Sequence, residues 1–409
     1  MEQVPVELAT WAVGPGLSAI ARATDLLDAG ADAFAVATDL RRDHPADRAA
    51  FAAAAAHTRV LARRSGIARA GELVLTREGL EQASAPEVAA WRARRAAATG
   101  APLQDWCAGT GGDAVALAAH GPVVAVEADP GRAVLARHRA AVLGVPVDVV
   151  VGDVLASPVD ARGALVHADP DRRDGSGRRA RTLATHGPPV GALLTAAHAA
   201  AGVLVAVAPG TAWDDPDLPP DAEVVFCQVG QRLVEAVVAV GAAATGARSR
   251  AVLLHAGVER TATPGAARAP VGAVGAWLVR PAVAAVRARF HDELAAEIGG
   301  WRIADRRALL TADDEPPPSP WWSAERVLAV VPARPRAVRD VLRTHPDVAV
   351  ELLLHGFVAD PVAFLRRAGR PRTGPDDVRV HLVRRDDDAV AIVTASDKGD
   401  DPGRPASAG

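Results

Sequence analysis

Short, continuously apolar runs alternate with longer helix-forming stretches between residues 102 and 241, and no other part of the chain is patterned so regularly. Leu103–Cys107, Val123–Glu127, Val147–Val151, Leu165–Asp169 and Val203–Ala208 read as strands. Helices are predicted over Gly112–His120, Pro130–Leu143 and Val190–Ala201. Strands without an exposed polar face are buried on both sides, which predicts a parallel sheet covered by helices, an α/β architecture. Val224–Val229 and Leu233–Val240 flank Gly230–Arg232 and predict a hairpin that closes the sheet with an antiparallel strand.

Helical patterning dominates the residues before this core. Leu17–Ala29, Ala31–Arg42, Pro45–Arg64 and Ala85–Ala98 are rich in helix formers, with turn signals at Gly30, Gly66 and Gly71. An N-terminal helical domain over 1–98 is expected, packed on the domain that follows. After the hairpin, residues 245–275 are rich in Gly, Ala and Pro and carry little pattern, and Ala282–Glu297 returns to helical spacing. The acidic, then proline-rich stretch Asp313–Pro320 predicts a domain boundary, so the central domain is assigned 99–320. Strands over Arg326–Val331, Val348–Leu354, Asp377–Arg384 and Ala389–Thr394, with helices over Pro335–Arg343 and Asp360–Arg367, predict a small α+β module at 321–396. A polar tail, 397–409, is expected to be disordered.

Composition narrows the function classes. Tyr and Asn are absent and Lys398 is the sole lysine, so nearly all positive charge is guanidinium. The net charge of −3 gives no global pull toward nucleic acid and leaves only local arginine patches for that role. Two cysteines, Cys107 and Cys227, fit a reducing compartment and cannot build a disulfide framework. Met1-Glu2-Gln3 does not open a signal peptide, and no apolar run has the length of a membrane span. A cytoplasmic protein without membrane contact is expected.

Chemistry gathers around Gln104–Asp113, Q-D-W-C-A-G-T-G-G-D. Glycines between a buried strand and a helix let backbone approach a ligand, and the helix directs free N–H groups at it. Asp105 ends the first strand and Glu127 the second, where a carboxylate can accept both ribose hydroxyls of an adenosine ligand. Asp153 follows the third strand in V-G-D-V-L, and Asp169 ends the fourth in H-A-D-P-D-R-R. Helix capping explains any one of these acids but not a set at four successive strand ends. Asp105 would repel a pyrophosphate, whereas it suits a ligand that carries an ammonium and a sulfonium.

With these motifs in place, Pro102–Gly241 resembles a class I S-adenosylmethionine-dependent methyltransferase domain. D-W-C-A-G-T-G-G-D corresponds to its first motif, V-V-A-V-E-A-D to its second, V-V-G-D-V to its adenine-side acidic motif and H-A-D-P-D-R-R to its fourth. L-T-R-E-G-L-E-Q-A-S at Leu75–Ser84 and V-E-L-L-L-H-G-F-V-A-D-P at Val350–Pro361 extend the likeness to a bacterial family that joins such a domain to a C-terminal THUMP-like domain. The resemblance implies a Rossmann-like sheet and S-adenosyl-L-methionine as cofactor. Asp105 and the backbone of Gly109, Gly111 and Gly112 would hold the methionine end, Glu127 the ribose and Asp153 the adenine amine. Asp169 and Pro170 would line the floor beside the transferred methyl, and Gln82 would close over the cofactor.

Asp171–Arg173 departs from the family's usual D-P-P form, and without Asn or Tyr an N-P-P-Y site for base amines cannot exist. No support for a catalytic-cysteine route is visible, since Cys107 and Cys227 read as inert core thiols. The working assignment is Asp169 as a polarising or proton-accepting group, with Arg172 and Arg173 gripping an anionic substrate. THUMP domains are associated with RNA, so the resemblance implies a structured RNA substrate such as tRNA; DNA is not expected. Arg334, Arg336, Arg339 and Arg343, then Arg366, Arg367, Arg370 and Arg372, and finally Arg172–Arg173 with Arg178–Arg181 are candidate contact clusters. Trp321 and Trp322 are candidates for base stacking or for hinge packing. Three classes of activity share these features: an RNA methyltransferase, a small-molecule or protein methyltransferase, and a non-catalytic module that keeps the cofactor fold.

Overall fold

The computed structural model describes residues 3–172, 182–345, 348–369, 378–385 and 388–395. The chain divides into two compact units, Met1–Val225 with Val234–Arg248, and Phe226–Leu233 with Ser249–Gly409. Among the described residues no helix is long and apolar enough to cross a membrane. Arg173, Arg178–Arg181, Arg370, Arg372 and the polar tail lie outside the described residues.

In the first unit, six helices come first: α1 (Val6–Ala12), α2 (Leu17–Asp28), α3 (Ala33–Leu40), α4 (Ala46–Arg64), α5 (Arg77–Glu81) and α6 (Pro86–Ala97). Helices α1 and α5 are absent from the sequence reading because each is too short to show a period. Their shared core is built largely from methyl groups, with Ala9, Ala23, Ala52 and Ala56 fully buried beside Ile20 and Leu40. Small side chains let helices approach at the short end of the 8–10 Å range. Side-chain caps set two of the starts. Asp32 accepts from the Ala35 N–H at 2.8 Å, and Thr76 from the Gly79 N–H at 3.1 Å.

The alternating region follows as β1 (Leu103–Trp106), α7 (Gly112–Ala118), β2 (Val123–Glu127), α8 (Pro130–Leu143), β3 (Val147–Val151), β4 (Leu165–Ala168), α9 (Val190–Ala196), β5 (Gly202–Val207), β6 (Glu223–Val229) and β7 (Arg232–Gly241). The strands of the first unit run in the order β3-β2-β1-β4-β5-β7, and β6 lies mainly in the second unit. Strand β1 is parallel to β2 and β4, and β7 is antiparallel to β5. β1, β4 and β5 are buried along their whole length, which is why their sequences lack alternation. The chain first builds outward from β1 through β2 to β3, then returns to place β4 on the other side of β1. That reversal leaves a crevice beyond the C-terminal ends of the strands.

In the second unit, the hairpin β8 (Ser249–His255) and β9 (Val258–Ala262) turns through Ala256 and Gly257, whose φ values of 48° and 78° match a two-residue primed turn. Next come β10 (Trp277–Pro281), α10 (Val283–Arg287), α11 (His291–Glu297), β11 (Trp301–Arg302), β12 (Leu310–Ala312) and β13 (Trp322–Pro332). The last elements are α12 (Pro335–Leu342), β14 (Val350–His355), α13 (Pro361–Arg367), β15 (Val378–Arg384) and β16 (Ala389–Ala395). They form a sheet in the order β11-β12-β10-β13-β16-β15-β14. Strand β13 pairs with β10 on one edge and β16 on the other, so the sheet runs unbroken across Asp313–Pro320, and the boundary expected at 320 falls inside it. Helices α12 and α13 cover one face through Val338, Leu342, Phe364 and Leu365.

The single helix expected over Ala282–Glu297 is two. Arg289 takes the left-handed conformation with φ 65°, and the Phe290 N–H returns to the Ala285 carbonyl at 2.9 Å. Such a stop normally needs glycine, and a larger residue there costs about 1–2 kcal/mol. Phe290 offsets it by packing edge-on against Trp321, ring centroids 5.7 Å apart.

Candidate cofactor and acceptor site

The turn after β1 is shaped by backbone demands. Gly109 and Gly111 have φ values of 56° and 80°, and a Cβ on Gly111 would stand 3.2 Å from the Ala136 Cβ on α8. Glu127, at the end of β2, ties this turn to the next. One carboxylate oxygen accepts from the Gly109 N–H at 2.7 Å and the other from the Asp129 N–H at 2.9 Å. Burial pushes the Glu127 carboxyl up from its ordinary value, and the two amides work against that shift. Asp129 in turn caps α8, accepting from the Arg132 N–H at 2.9 Å.

Cys107 is held in the left-handed region at φ 59°, within the turn. Burial pushes its thiol well up, and Glu127, Asp105, Asp169 and Asp153 all add to the shift. All four strand-end acids thus disfavour the thiolate, and Cys107 is no thiolate nucleophile. Cys227 is fully buried.

A cavity of about 640 Å³ opens at this point, lined by Cys107, Glu127, Asp129, Asp153 and Asp171 together with Gln3–Val6 from the N-terminus. Its size falls within the range of small-molecule sites. Asp153 is exposed and caps a short helical turn, accepting from the Leu155 N–H at 2.9 Å. The N-terminal segment is anchored at its rim: the Val4 N–H donates to Asp129 Oδ2 at 3.1 Å, and the Val4 carbonyl occupies the place a side chain on Gly131 would need.

Asp105 does not line this cavity. Its register partner on β4 is His167, whose Nδ1–H donates to Asp105 Oδ1 at 2.7 Å, both side chains being 1% exposed. Asp105 Oδ2 and His167 Nε2 are buried and find no hydrogen-bond partner among the described residues. Burial pushes Asp105 up against the pull of the imidazole. Burial and Arg92 push His167 down, yet the Asp105 carboxylate prevails and its value is raised.

Behind the glycine turn, a chain of buried ion pairs crosses from α6 to β7. Arg92 reaches Asp113 at 2.6 Å and Glu235 at 2.8 Å, and Ser84 donates to Asp113 at 3.2 Å. Glu235 also takes Arg172 at 2.6 Å, and Arg172 bonds Asp169 at 3.3 Å. Arg172 is thus committed to two carboxylates, a geometry that does not support its expected grip on an anionic substrate. Burial pushes Asp169 up, with Arg172 opposing. Pro170 is buried beside it. Gln82 ends α5, its amide donating to Glu78 at 3.2 Å, and α5 packs on the glycine turn through Gly79 and Thr110.

Sequence reasoning missed His167, Arg92 and Glu235. His167 stood in the H-A-D-P motif, two residues before Asp169, and parallel pairing of the first and fourth strands would have brought it beside Asp105. Arg92 and Glu235 are 143 residues apart and leave no local signal.

No protein-family model matches the chain. Over 321 residues it is 34% identical to an uncharacterized S-adenosylmethionine-dependent methyltransferase of Mycobacterium tuberculosis, found in two strains, an overlap of 75% of this chain and 86% of the relative. The chain belongs to the S-adenosylmethionine-dependent methyltransferases. A crystal structure described as a candidate methyltransferase from Porphyromonas gingivalis W83 shares the fold, with a TM-score of 0.70 over 96% of this chain and 98% of that one at 16% identity. This methyltransferase is an enzyme whose cofactor is S-adenosylmethionine, which supplies a methyl group made electrophilic by its sulfonium. The residues fit that group: a glycine cradle, a carboxylate at the second strand end and a buried, unpartnered carboxylate oxygen on Asp105.

Proposed function

We propose that this methyltransferase modifies RNA, with a structured RNA such as tRNA as its substrate. The observation that carries the reading is the placement of two arginine clusters in the second unit. Helices α12 and α13 pack side by side on one sheet face, and Arg334, Arg336, Arg343, Arg366 and Arg367 are all exposed on them. Clusters that are separate in sequence are thereby carried by neighbouring helices, a placement that suits contact with a phosphate backbone. In this reading, residues 1–98 are a helical domain, the methyltransferase domain begins at 99, and residues 321–396 supply a THUMP-like RNA-binding module whose sheet continues into β10–β12.

The site residues take these roles. Asp105 and the amides of Gly109, Gly111 and Gly112 hold the methionine end, Glu127 the ribose hydroxyls and Asp153 the adenine amine. Asp169, its basicity raised by burial, accepts a proton or a hydrogen bond from the acceptor atom, and Pro170 shapes the floor beside it. Arg172 acts as a positioning residue that holds Asp169 against Glu235. Methyl transfer from a sulfonium asks mainly for alignment, so a rigid floor counts for more than a strong base.

Incubation with methyl-labelled cofactor and total RNA tests the proposal. Label is expected in an RNA fraction, with Asp169→Ala losing transfer at least tenfold while binding the cofactor normally. Label found only in protein or in small molecules would defeat the RNA reading and favour those acceptors.

A further inference from the structure

The Asp105–His167 pair is built beyond what a structural hydrogen bond needs. Each side chain is 1% exposed, they meet at 2.7 Å, and each keeps a buried polar atom, Asp105 Oδ2 and His167 Nε2, without a partner among the described residues. Buried polar atoms without partners cost about 1–3 kcal/mol each, and in a native fold they point to a ligand, water or ion that pairs with them.

The surrounding charge is unbalanced. Asp113 on α7 and Arg92 on α6 both act on the pair, and Cys107, next along the turn, feels Asp105. Arg139 on α8 faces Asp113. The cluster sets the carboxylates of Asp105, Asp113, Asp169 and Glu235 against the guanidiniums of Arg92, Arg139 and Arg172, the Asp169 and Arg172 side chains being only partly buried. An excess of buried negative charge is expensive, and a proton on the Asp105–His167 pair relieves it. S-adenosylmethionine would bring an ammonium and a sulfonium to the same region.

We propose that the Asp105–His167 pair is a proton-linked counter-charge for the cofactor: it holds a proton before the cofactor binds and releases that proton to solvent as the cofactor's cations arrive. His167 is then a positioning residue. It keeps one oxygen of Asp105 fixed and sets the pH at which the other becomes a fully charged acceptor. The proposal rests on the assignment of Asp105 to the methionine end, and the test separates the two.

Calorimetric titration of S-adenosylmethionine into the full chain is run in buffers of different ionisation enthalpy at one pH, then repeated between about pH 5.5 and 6.7, at least about one unit below the pH at which an α-amino group titrates. The wild type is expected to release up to about one proton per cofactor bound, with affinity rising by up to about tenfold per pH unit. His167→Asn keeps a donor beside Asp105 but cannot titrate. It should still bind, with proton release abolished and affinity flat over the same range. Wild-type binding without proton release, or the same release from His167→Asn, overturns the inference. Unaltered affinity in Asp105→Asn would instead defeat the assignment of Asp105 to the cofactor. If His167→Asn does not fold, the imidazole resonances of the wild type are followed by NMR. The His167 titration must then move to lower pH when cofactor is added, and an unmoved titration refutes the proposal.

Discussion

Glu127→Ala removes both acceptors that tie the glycine turn to the start of α8. Two backbone N–H groups, those of Gly109 and Asp129, lose partners at 2.7 and 2.9 Å. Each orphaned donor costs about 1–3 kcal/mol, and the low end applies because water in the adjoining cavity can reach the turn. A loss of about 2 kcal/mol in stability is therefore expected, offset in part because a buried carboxylate is no longer desolvated. The cofactor suffers more. A hydrogen bond from a ribose hydroxyl to a charged acceptor is worth about 1.5–3 kcal/mol, so the loss of two, about 3–6 kcal/mol, amounts to at least about a hundredfold in Kd. Glu127→Gln keeps one carbonyl acceptor but presents an NH₂ to the second amide, and should fall between the two. Calorimetry with S-adenosylmethionine gives the affinity, and denaturant unfolding without ligand gives the stability. Binding by Glu127→Ala within about threefold of wild type would refute the ribose role, a threefold change being under 1 kcal/mol. Lost affinity with unchanged stability would refute the account of the turn.

Two further outcomes follow from buried titratable and charged groups. Arg92→Met leaves Asp113 and Glu235 without the guanidinium they share at 2.6 and 2.8 Å, at a cost of about 3–5 kcal/mol. A thermal scan should show the first unit melting roughly 6–20 °C earlier, and a drop under about 3 °C would show the network to be dispensable. In the second unit, burial, with His381 adding to it, holds His355 down at about 4 against an ordinary 6.5. The folded chain there refuses a proton that the unfolded chain accepts, so this contribution is complete above about pH 6.5 and is lost as pH falls toward about 4. Unfolding followed across that window should be less pH-dependent in His355→Gln, and an unchanged profile would exclude His355 as the cause.

The central sheet was legible because its strands are buried on both faces and its helices carry their own caps and turn glycines. Leu103–Trp106, Val123–Glu127 and Pro130–Leu143 were placed almost to the residue for that reason. The acids near the strand ends were legible too, since each lies within two residues of the end of a strand. What escaped depends on partners distant in sequence. Asp105 and His167 are 62 residues apart, and Arg95 reaches Glu223 across 128. Strands β8 to β12 were hidden by a Gly- and Pro-rich composition in which pairing, not propensity, decides the conformation. The break at Arg289 was invisible because a packed ring substitutes for the glycine that would have announced it. The acceptor side suffers from the same bias. In a chain whose cations are nearly all arginine, no single arginine signals a ligand until its neighbours in space are known.

Val4 donates to the residue that caps α8, and its carbonyl fills the space over Gly131. The segment Gln3–Val6 is therefore wall rather than tail. An environment-sensitive dye on a cysteine introduced at the exposed Val6 would sit at the cavity rim and report cofactor arrival directly, without any labelled substrate.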